Sequence, residues 1–377
     1  MSKSVFIVSG EESGDLHGSS LIKALKELVP GLEVGGMGGR RMREAGQKGL
    51  DSSELSVVGI VEVIEKSPGI LKAFRGLKKR LKEARPDAVV LIDFPDFNLR
   101  LAREAKKLGI PVVYYISPQV WAWRKGRIKK IARLVDKMLV VFPFEVDLYR
   151  KEGVDVEYVG HPLSDVVECP LSKDEARKAV GVGADSIVVS LLPGSRTAEV
   201  RRHLPVMLEA AVLMEKGINA SVDFLLPAAH SIDDTLLAGL IGDSRLGVKV
   251  LRERLYTALR ASDAAVVASG TATLETALVG TPMVIIYRMS QVSYAIGRAL
   301  VGVSHIGLPN IVAGREVVKE LIQNDATPEK VCAGILEIIK DSGKKDDIIN
   351  GLKEIKDRLG SGAASRAARA VFKVINP

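Results

Sequence analysis

Residues 88–98 read AVVLIDFPDFN, an unbroken apolar run that ends in two carboxylates. A continuous apolar run of this kind predicts a strand buried on both faces, as in a parallel sheet that helices cover on each side. Asp93 and Asp96 come at the end of the predicted strand, with Pro95 between them. Because ligands bind beyond the carboxyl ends of the strands in such sheets, this stretch indicates both a fold class and the position of a site.

The same rhythm, a short apolar run followed by a longer amphipathic stretch, extends in both directions and predicts a series of βα units. In the first half, the predicted strands are residues 5–9, 88–93, 112–116, 137–142 and 156–159. The rhythm begins again in the second half, with residues 186–192, 222–226, 248–250, 264–268 and 283–287. We therefore expect an α/β protein in which two Rossmann-like, doubly wound parallel-sheet domains face a cleft.

The domain boundaries lie where this rhythm stops. Residues 160–173 contain two prolines and no clear periodicity, which indicates a linker. We predict an N-terminal domain over residues 1–165 and a second domain over residues 174–325. Residues 326–377 have a wholly helical pattern, and this C-terminal tail either packs back on the N-terminal domain or is exchanged between the subunits of a homodimer.

Composition narrows the range of partners. The chain of 377 residues has 54 basic and 46 acidic side chains, and its net charge of +8 suits an anionic partner without specifying one. No RRM, KH or helix-turn-helix pattern accompanies the basic residues, so a nucleic-acid partner is not expected. The N-terminus runs directly into a strand-like segment, and no apolar stretch approaches the roughly 20 residues that span a bilayer. The sequence therefore predicts a cytoplasmic protein.

Neither a metal site nor a disulfide is expected from the residue spacings. The five histidines share no HxxxH or HxH spacing. The two cysteines, Cys169 and Cys332, form no CxxC motif and are interpreted as free thiols in a reducing compartment.

A glycine turn follows the first predicted strand, where residues 9–15 read SGEESGD. Its glycines permit a tight turn and a close approach of a ligand to the backbone, while Ser13 or Asp15 could cap the helix that follows. The turn is neither a Walker A nor a GxGxxG motif. Its carboxylates would repel a phosphate, so a sugar hydroxyl is the better ligand, and an ordinary capped turn is the alternative.

Two carboxylates compete for the role of general base after the strand of residues 88–93. A carboxylate at that position can take a proton from a nucleophilic hydroxyl. We favour Asp93 as the base and interpret Asp96 as structural, because Asp96 or Asn98 could cap the next helix.

Both tryptophans of the chain lie in SPQVWAWR, residues 117–124, which also contains Gln119. Indole rings after a strand suit stacking on a sugar ring, or they form a packed corner beneath the site. The residues alone leave both readings of Trp121 and Trp123 open.

Two loops in the second half suit a phosphate. In LPGSR, residues 192–196, Gly194 permits backbone approach, Ser195 can cap a helix and Arg196 can pair with a diphosphate. In SGTATLE, residues 269–275, a helix begins after Gly270 and Thr271, and the free backbone amides at its N-terminus would attract an anion. Glu275, one turn further on, could accept hydrogen bonds from a ribose diol. Later in the chain, Asn310 either positions substrate or satisfies local backbone groups.

Taken in order, these segments resemble the lipid-A-disaccharide synthase family over nearly the full chain. The segments that carry the resemblance are GEESGD (10–15), IDFPDFN (92–98), SPQVWAWR (117–124), PFE (143–145), GHP (160–162), LPGSR (192–196), SGTATLE (269–275) and LPN with AGR (308–315). The block with two tryptophans is the most specific of them.

The resemblance implies a GT-B fold and the transfer of 2,3-diacylglucosamine from UDP-2,3-diacylglucosamine to 2,3-diacylglucosamine 1-phosphate. It implies that Asp93 is the general base on the acceptor 6-hydroxyl and that Glu11 lies in the acceptor cleft. It also implies that Arg196 and Asn310 handle the donor, and that UDP is contacted by Ser195, Thr271 and Glu275. An inverting displacement without a metal or other cofactor is expected, with the diphosphate neutralised by Arg196 and helix amides.

Acylated substrates imply that the protein is peripherally associated with the cytoplasmic face of the inner membrane, through residues near 57–82. Residues 56–64 are apolar apart from Glu62. Further apolar residues recur at helical spacing, namely Ile70, Leu71, Phe74, Leu77 and Leu81. Basic residues alternate with these, namely Lys72, Arg75, Lys78, Lys79, Arg80 and Lys82. The pattern is that of an interfacial basic amphipathic helix, or of one face of an ordinary core helix.

Overall fold

The computed structural model describes residues 2–52, 68–118, 120–121, 126–242, 246–289 and 304–376. The predictions for Gln119, Trp123 and the apolar segment 56–64 therefore lie outside the described residues. The chain divides into two compact units. Unit 1 comprises Met1–Asp165 and Leu359–Pro377, and unit 2 comprises Val166–Arg358.

Unit 1 contains a seven-stranded parallel sheet in the order β3-β2-β1-β4-β5-β6-β7. Its strands are β1 (Ser4–Ser9), β2 (Glu33–Gly38), β3 (Lys48–Asp51), β4 (Ala88–Ile92), β5 (Val112–Tyr115), β6 (Lys137–Val140) and β7 (Val156–Tyr158). β1 pairs with β2 on one side and with β4 on the other, both in parallel. The first six strands therefore have the order of a dinucleotide-binding Rossmann sheet, in which the order of the strands reverses between β1 and β4.

The helices of unit 1 cover this sheet. They are α1 (Glu12–Leu28), α2 (Arg40–Glu44), α3 (Pro68–Ala84), α4 (Pro95–Lys107), α5 (Arg127–Ala132), α6 (Glu145–Arg150), α7 (Leu163–Val166) and, at the C-terminus, α16 (Ala363–Ile375). The side chains of Val89, Leu91 and Tyr114 are fully buried among residues of α3 and α4. This burial on the faces of the central strands is why residues 88–92 are apolar without alternation.

Unit 2 repeats the arrangement with a six-stranded parallel sheet in the order β10-β9-β8-β11-β12-β13. Its strands are β8 (Ile187–Leu192), β9 (Val222–Ala228), β10 (Val248–Arg252), β11 (Ala264–Ala268), β12 (Met283–Tyr287) and β13 (Lys319–Ile322). β8 pairs with β9 and with β11, so the order of the strands reverses between β8 and β11. Unit 2 is thus a second Rossmann-like domain.

The helices of unit 2 lie between these strands and after them. They are α8 (Lys173–Val180), α9 (Thr197–Gly217), α10 (Asp234–Gly242), α11 (Leu255–Ala261), α12 (Thr271–Val279), α13 (Leu308–Ala313), α14 (Pro328–Lys340) and α15 (Ser342–Leu359). No helix in the described ranges is both long and apolar enough to cross a membrane.

The predicted fold class is confirmed, since both halves are doubly wound parallel sheets. Each strand predicted from the sequence is present, with ends that differ by a few residues. Three strands were missed, namely β2, β3 and β13. β2 reads EVGGMG, and Gly36 within it has a φ of 120°, with the backbone of Ile7 so close that no side chain would fit. Because glycine lacks the apolar side chains on which pattern recognition depends, β2 was not detected.

The C-terminal tail is helical as predicted, but the structure divides it between the two units. α14 and nearly all of α15 lie in unit 2, and the chain returns to unit 1 at Leu359. There α16 packs against α1 of the same chain. Buried alanine and valine side chains such as Ala367, Ala368 and Val371 allow this close approach.

One carboxylate connects α16 to the rest of unit 1. The side-chain oxygens of Asp165, on α7, accept hydrogen bonds from the backbone amides of Gly362 and Ala363 at the start of α16, the second at 2.8 Å. Helix N-terminal amides lack partners within the helix, so this side chain acts as a cap provided from elsewhere in the unit.

We expect Asp165→Ala to lower the free energy of unfolding of unit 1 by about 1–2 kcal/mol, the usual cost of losing such a cap. Urea unfolding followed by tryptophan fluorescence measures this, because both tryptophans belong to unit 1. Asp185→Ala, which removes an exposed carboxylate of unit 2, is the matched control. Equal urea midpoints for the two variants would contradict the capping role.

Candidate active site

The polar motifs lie at the points where the strand order reverses. In unit 1, Glu11 follows β1 and Asp93 follows β4, and these are the two strands on either side of the reversal. In unit 2, residues 193–196 follow β8 and residues 269–271 follow β11, again on either side of the reversal. Adjacent crossover helices leave the sheet on opposite faces there, which opens a crevice at the carboxyl ends of the strands.

The backbone at Asp93 has an unusual conformation that neighbouring side chains hold in place. Asp93 and Phe94 have φ values of 45° and 47°, which are costly for residues other than glycine. The Nδ2 group of Asn98 donates to the carbonyl oxygens of Ile92, at 3.1 Å, and of Asp93, at 2.7 Å. The hydroxyl of Tyr114, on β5, also donates to the Asp93 carbonyl, at 2.6 Å. These bonds stabilise a turn that projects the Asp93 side chain from the end of β4.

The Asp93 carboxyl is electrostatically suited to exchange a proton near neutral pH. Burial and, to a smaller extent, the negative charge of Glu11 raise its pKa to about 6, although a hydrogen bond from the Phe94 backbone opposes both effects. The Phe94 ring packs on Gly10, the residue before Glu11, so closely that a side chain at position 10 would clash. A pKa in this range matches a general base, whose efficiency is greatest near the working pH.

Two other predicted residues of unit 1 have structural contacts, and a third is exposed. Asp15 is buried, and its oxygens accept from the amides of Arg41, at 2.9 Å, and Met42, at 3.0 Å, so it caps α2 and not α1. Asp96 lies in the first turn of α4 and forms an ion pair with Arg127. Ser13 is exposed in the first turn of α1, close to Glu11 in sequence.

Trp121 occupies a packed corner. Its indole is 8% exposed and meets the Phe144 ring edge to face, with centroids 5.3 Å apart. Its Nε1 donates to Glu145, at 3.2 Å, and burial raises the pKa of that carboxyl to about 7. Of the two readings left open for Trp121, this geometry favours the corner beneath the site over stacking on a sugar.

Unit 2 has a pocket of about 510 Å³ at the strand reversal. It is lined by predicted donor-binding residues, namely Gly194, Ser195, Arg196, Gly270, Thr271 and Glu275. Residues that were not predicted also line it, among them Glu199, His230, Glu253, Arg254 and Tyr287. The structure therefore brings both phosphate-friendly loops to one cavity of unit 2.

The two loops differ in how their amides are used. The amides of Ser195 and Arg196 donate to the carboxylate of Glu199, at 3.1 and 3.2 Å. At the other loop, the described residues provide no side-chain cap for α12, and its first residues, Thr271 and Ala272, line the pocket. The Arg196 side chain is 83% exposed. Glu199 thus occupies the first loop, and it also pairs with the Arg196 guanidinium at 3.3 Å.

Glu275 projects into the pocket from α12, and its carboxylate accepts a 2.9 Å hydrogen bond from the Tyr256 hydroxyl. Burial raises the pKa of Glu275, and the Tyr256 hydrogen bond lowers it. The carboxylate is therefore partly shielded from water and has a donor beside it. The sequence identified Glu275 by its motif but had no signal for Tyr256, because the two residues come together only in the folded unit.

Asn310 is fully buried and is not among the residues that line the pocket. Its Oδ1 accepts from the amides of Val317 and Val318, and its Nδ2 donates to the Val318 carbonyl and to Glu320. Glu320 in turn accepts from the amides of Ile306 and Gly307. The structure thus favours the second alternative for Asn310, satisfaction of local backbone groups.

Solved structures with a similar fold include an epimerase of a UDP-sugar and MurG. A UDP-GlcNAc 2-epimerase from Neisseria meningitidis, solved with UDP-GlcNAc bound, matches with a TM-score of 0.64 at 12% identity and covers 99% of both chains. MurG from Acinetobacter baumannii matches with a TM-score of 0.60 at 15% identity, over 99% of this chain and 100% of that one. The two Rossmann-like units and the pocket in the second one define a protein of the GT-B fold class.

Sequence comparison is more specific. The lipid-A-disaccharide synthetase family model matches residues 5–374. The lipid-A-disaccharide synthase of Syntrophus aciditrophicus is 52% identical over 99% of this chain and 98% of its own. That of Geobacter metallireducens is 48% identical over 99% and 97%. The chain belongs to the lipid-A-disaccharide synthase family, which confirms the resemblance inferred from the motifs and makes it a UDP-sugar glycosyltransferase.

Glu11→Gln removes a negative charge near Asp93, so we expect it to lower the pKa of Asp93 from its value of about 6. A base that must be deprotonated loses activity as the pH falls through its pKa, and the acid limb of the rate profile should therefore move to lower pH. Carbon-13 NMR titration of labelled aspartate carboxyls measures the same shift directly. Glu44→Gln, an exposed carboxylate on α2, is the control. An Asp93 pKa that stays in place or rises would contradict the electrostatic coupling.

Proposed function

We propose that this chain catalyses the inverting transfer of 2,3-diacylglucosamine from UDP-2,3-diacylglucosamine to the 6-hydroxyl of 2,3-diacylglucosamine 1-phosphate. The new linkage is β(1→6), and UDP leaves. The observation that carries the proposal is membership of the family over residues 5–374, which include both strand reversals. The carboxyl of Asp93 and the pocket of unit 2 provide chemistry that this reaction needs.

In the proposed mechanism, Asp93 removes the proton of the acceptor 6-hydroxyl while the oxygen attacks the anomeric carbon of the donor. The bond between that carbon and the diphosphate oxygen breaks, and its electron pair leaves with UDP. The pKa of about 6 lets Asp93 be ionised at neutral pH and still be an effective base. Glu11, exposed beside Asp93, lies on the acceptor side.

The donor is assigned to the pocket of unit 2. Arg196 and the first amides of α12 meet the diphosphate, and they supply the positive charge that stabilises the leaving group without a metal ion. Thr271 and Ser195 line the pocket near these groups, and Gly194 and Gly270 permit close approach of the backbone. Glu275 accepts hydrogen bonds from the ribose diol. Asn310 contributes indirectly, through the Glu320 network.

The reaction is tested by incubating the purified chain with UDP-2,3-diacylglucosamine and the acceptor, with and without EDTA, and analysing the products by mass spectrometry. We expect the disaccharide 1-phosphate and UDP in equal amounts in both samples. Release of UDP without disaccharide, or an epimerised sugar, would overturn the assignment. Loss of activity with EDTA that Mg²⁺ restores would overturn the metal-free mechanism.

Two matched variants separate the candidate bases in the same assay. Asp93→Asn should lower kcat by about 10²–10⁴-fold, the usual contribution of a general base, with little change in the Kd for UDP. Asp96→Asn breaks an ion pair with Arg127 and should cost much less. The reverse order of effects would assign the base to Asp96.

We also infer that the chain docks on the cytoplasmic face of the inner membrane through α3. The apolar stripe of this helix is mostly core, because Ile70, Leu77 and Leu81 are buried and the Phe74 ring packs on Phe97. Leu71 is 42% exposed. The exposed face carries five basic residues and one acidic residue, Glu83, which pairs with Lys79; the basic ones are Lys72, Arg75, Lys79, Arg80 and Lys82. The support for docking is thus chiefly electrostatic. A homodimer with exchanged C-terminal helices stays a prediction.

Docking through this face predicts that the protein sediments with vesicles of anionic phospholipid more than with zwitterionic vesicles, and that high salt reduces the binding. Charge reversal at two exposed positions, Lys72→Glu with Arg75→Glu, should remove most of it. Lys353→Glu with Lys356→Glu, on α15, makes the same charge change on unit 2 and is the control. Equal losses in both pairs would count against α3 as the docking face.

A further inference from the structure

Tyr256 is the second residue of α11, and its hydroxyl contacts the carboxylate of Glu275 on α12 from outside the donor pocket. We propose that Tyr256 is a positioning residue that makes this pocket selective for ribonucleotides, by holding Glu275 so that its other oxygen meets the ribose hydroxyls. The inference rests on the proposed function, because it takes Glu275 as the carboxylate that binds the ribose.

Two cavities share a wall at this point. Residues 253–255 line both the donor pocket and an adjoining cavity of about 450 Å³. Glu275 lines the first cavity, Tyr256 lines the second, and the 2.9 Å hydrogen bond between the Tyr256 hydroxyl and Glu275 Oε1 joins them. Tyr256 therefore contacts Glu275 from the side away from an incoming nucleotide.

The segment that carries Tyr256 is held in one conformation. Glu253 has a φ of 54°, an unusual value for a residue other than glycine. The Arg254 side chain donates to the Ala179 carbonyl, at 2.9 Å, and the Arg254 carbonyl accepts from the Ala258 amide. Ala258 and Leu259 are fully buried. The Tyr256 hydroxyl is thus presented to Glu275 from a constrained support.

The chemistry of the pair suits recognition of a diol. Among the described residues, the Glu275 carboxylate has its one hydrogen bond through Oε1, so Oε2 is left for a ligand. An ionised carboxylate only accepts hydrogen bonds, whereas a protonated one presents a donor to the ribose hydroxyls. Burial raises the pKa of Glu275, and the Tyr256 hydroxyl counters this effect. Tyr256 therefore fixes the direction of the carboxylate and favours the ionised state that accepts from a ribose.

The experiment compares the binding of UDP and 2′-deoxy-UDP by calorimetry, because the ratio of the two Kd values isolates recognition of one hydroxyl. The wild-type protein should prefer UDP by about 10-fold or more, in line with the worth of a hydrogen bond to a charged group. Glu275→Gln should reduce this preference to about 2-fold or less. Tyr256→Phe should weaken UDP binding by about 3–10-fold while changing 2′-deoxy-UDP binding much less, so its preference should fall as well.

Two controls separate positioning from a general effect on structure. Tyr158→Phe, in unit 1, removes a hydroxyl that donates to the Leu359 carbonyl, at 2.7 Å, and should leave the preference for UDP unchanged. The double variant of Tyr256→Phe with Glu275→Gln should bind UDP no more weakly than Glu275→Gln alone, because the two residues act through one interaction. Melting temperatures of all variants check that each is folded.

The outcomes distinguish this inference from the assignment of the donor pocket. If Glu275→Gln loses the preference for UDP but Tyr256→Phe keeps it, the role of Tyr256 is wrong and the donor pocket stands. If Glu275→Gln keeps the wild-type preference, Glu275 does not bind the ribose 2′-hydroxyl. Both the assignment of Glu275 to the ribose and the positioning role of Tyr256 would then be wrong. Additive losses in the double variant would also overturn the positioning role.

Discussion

Parallel pairing of one strand with neighbours on both sides is the constraint on which the rest of this molecule depends. β1 lies between β2 and β4, and β8 lies between β9 and β11, so each sheet reverses its strand order at one place. The crossover helices leave the sheet on opposite faces at that place, so a crevice opens beyond the carboxyl ends of the strands. The strands on either side of the two reversals are β1, β4, β8 and β11, and each is followed by one of the proposed functional residues, namely Glu11, Asp93, Arg196 and Thr271. The functional groups are thus placed by the topology of the sheets.

Burial raises the pKa of both carboxylates proposed to act on substrate, Asp93 and Glu275, but their neighbours change the pKa in opposite directions. Beside Asp93, the charge of Glu11 adds to the effect of burial and keeps the carboxyl basic. Beside Glu275, the Tyr256 hydroxyl lowers the pKa and favours the ionised form. A base needs a high proton affinity, whereas a carboxylate that only accepts hydrogen bonds needs a low one. The acidic neighbour of Asp93 therefore suits a general base, and the hydroxyl neighbour of Glu275 suits a hydrogen-bond acceptor.

Some residues of the motifs have their polar groups buried and hydrogen bonded within the fold. Asp15, Trp121 and Asn310 belong to segments that resemble the family, yet each directs its polar atoms at backbone amides, backbone carbonyls or a buried carboxyl. Leaving such groups without a partner inside the protein costs about 1–3 kcal/mol each. Residues of a motif can therefore lie near a site because they stabilise its loops and not because they contact a ligand. The sequence pattern alone does not distinguish support from contact, since both require the same residue types.

The sequence by itself determined the two α/β units, ten of the thirteen strands in the described part of the chain and the loops that carry the site, because continuous apolar runs and glycine turns are local signals. It did not reveal β2, β3 and β13, which have few apolar side chains. Tertiary structure alone decided that Asn98 and Tyr114 hold the Asp93 turn, that Glu199 occupies one phosphate loop and that Tyr256 meets Glu275. Asn98 and Glu199 lie near their partners in sequence, but the direction of their hydrogen bonds depends on the folded loop. Tyr114 and Tyr256 reach theirs from other elements, and contacts of that kind leave no periodic signal in the chain.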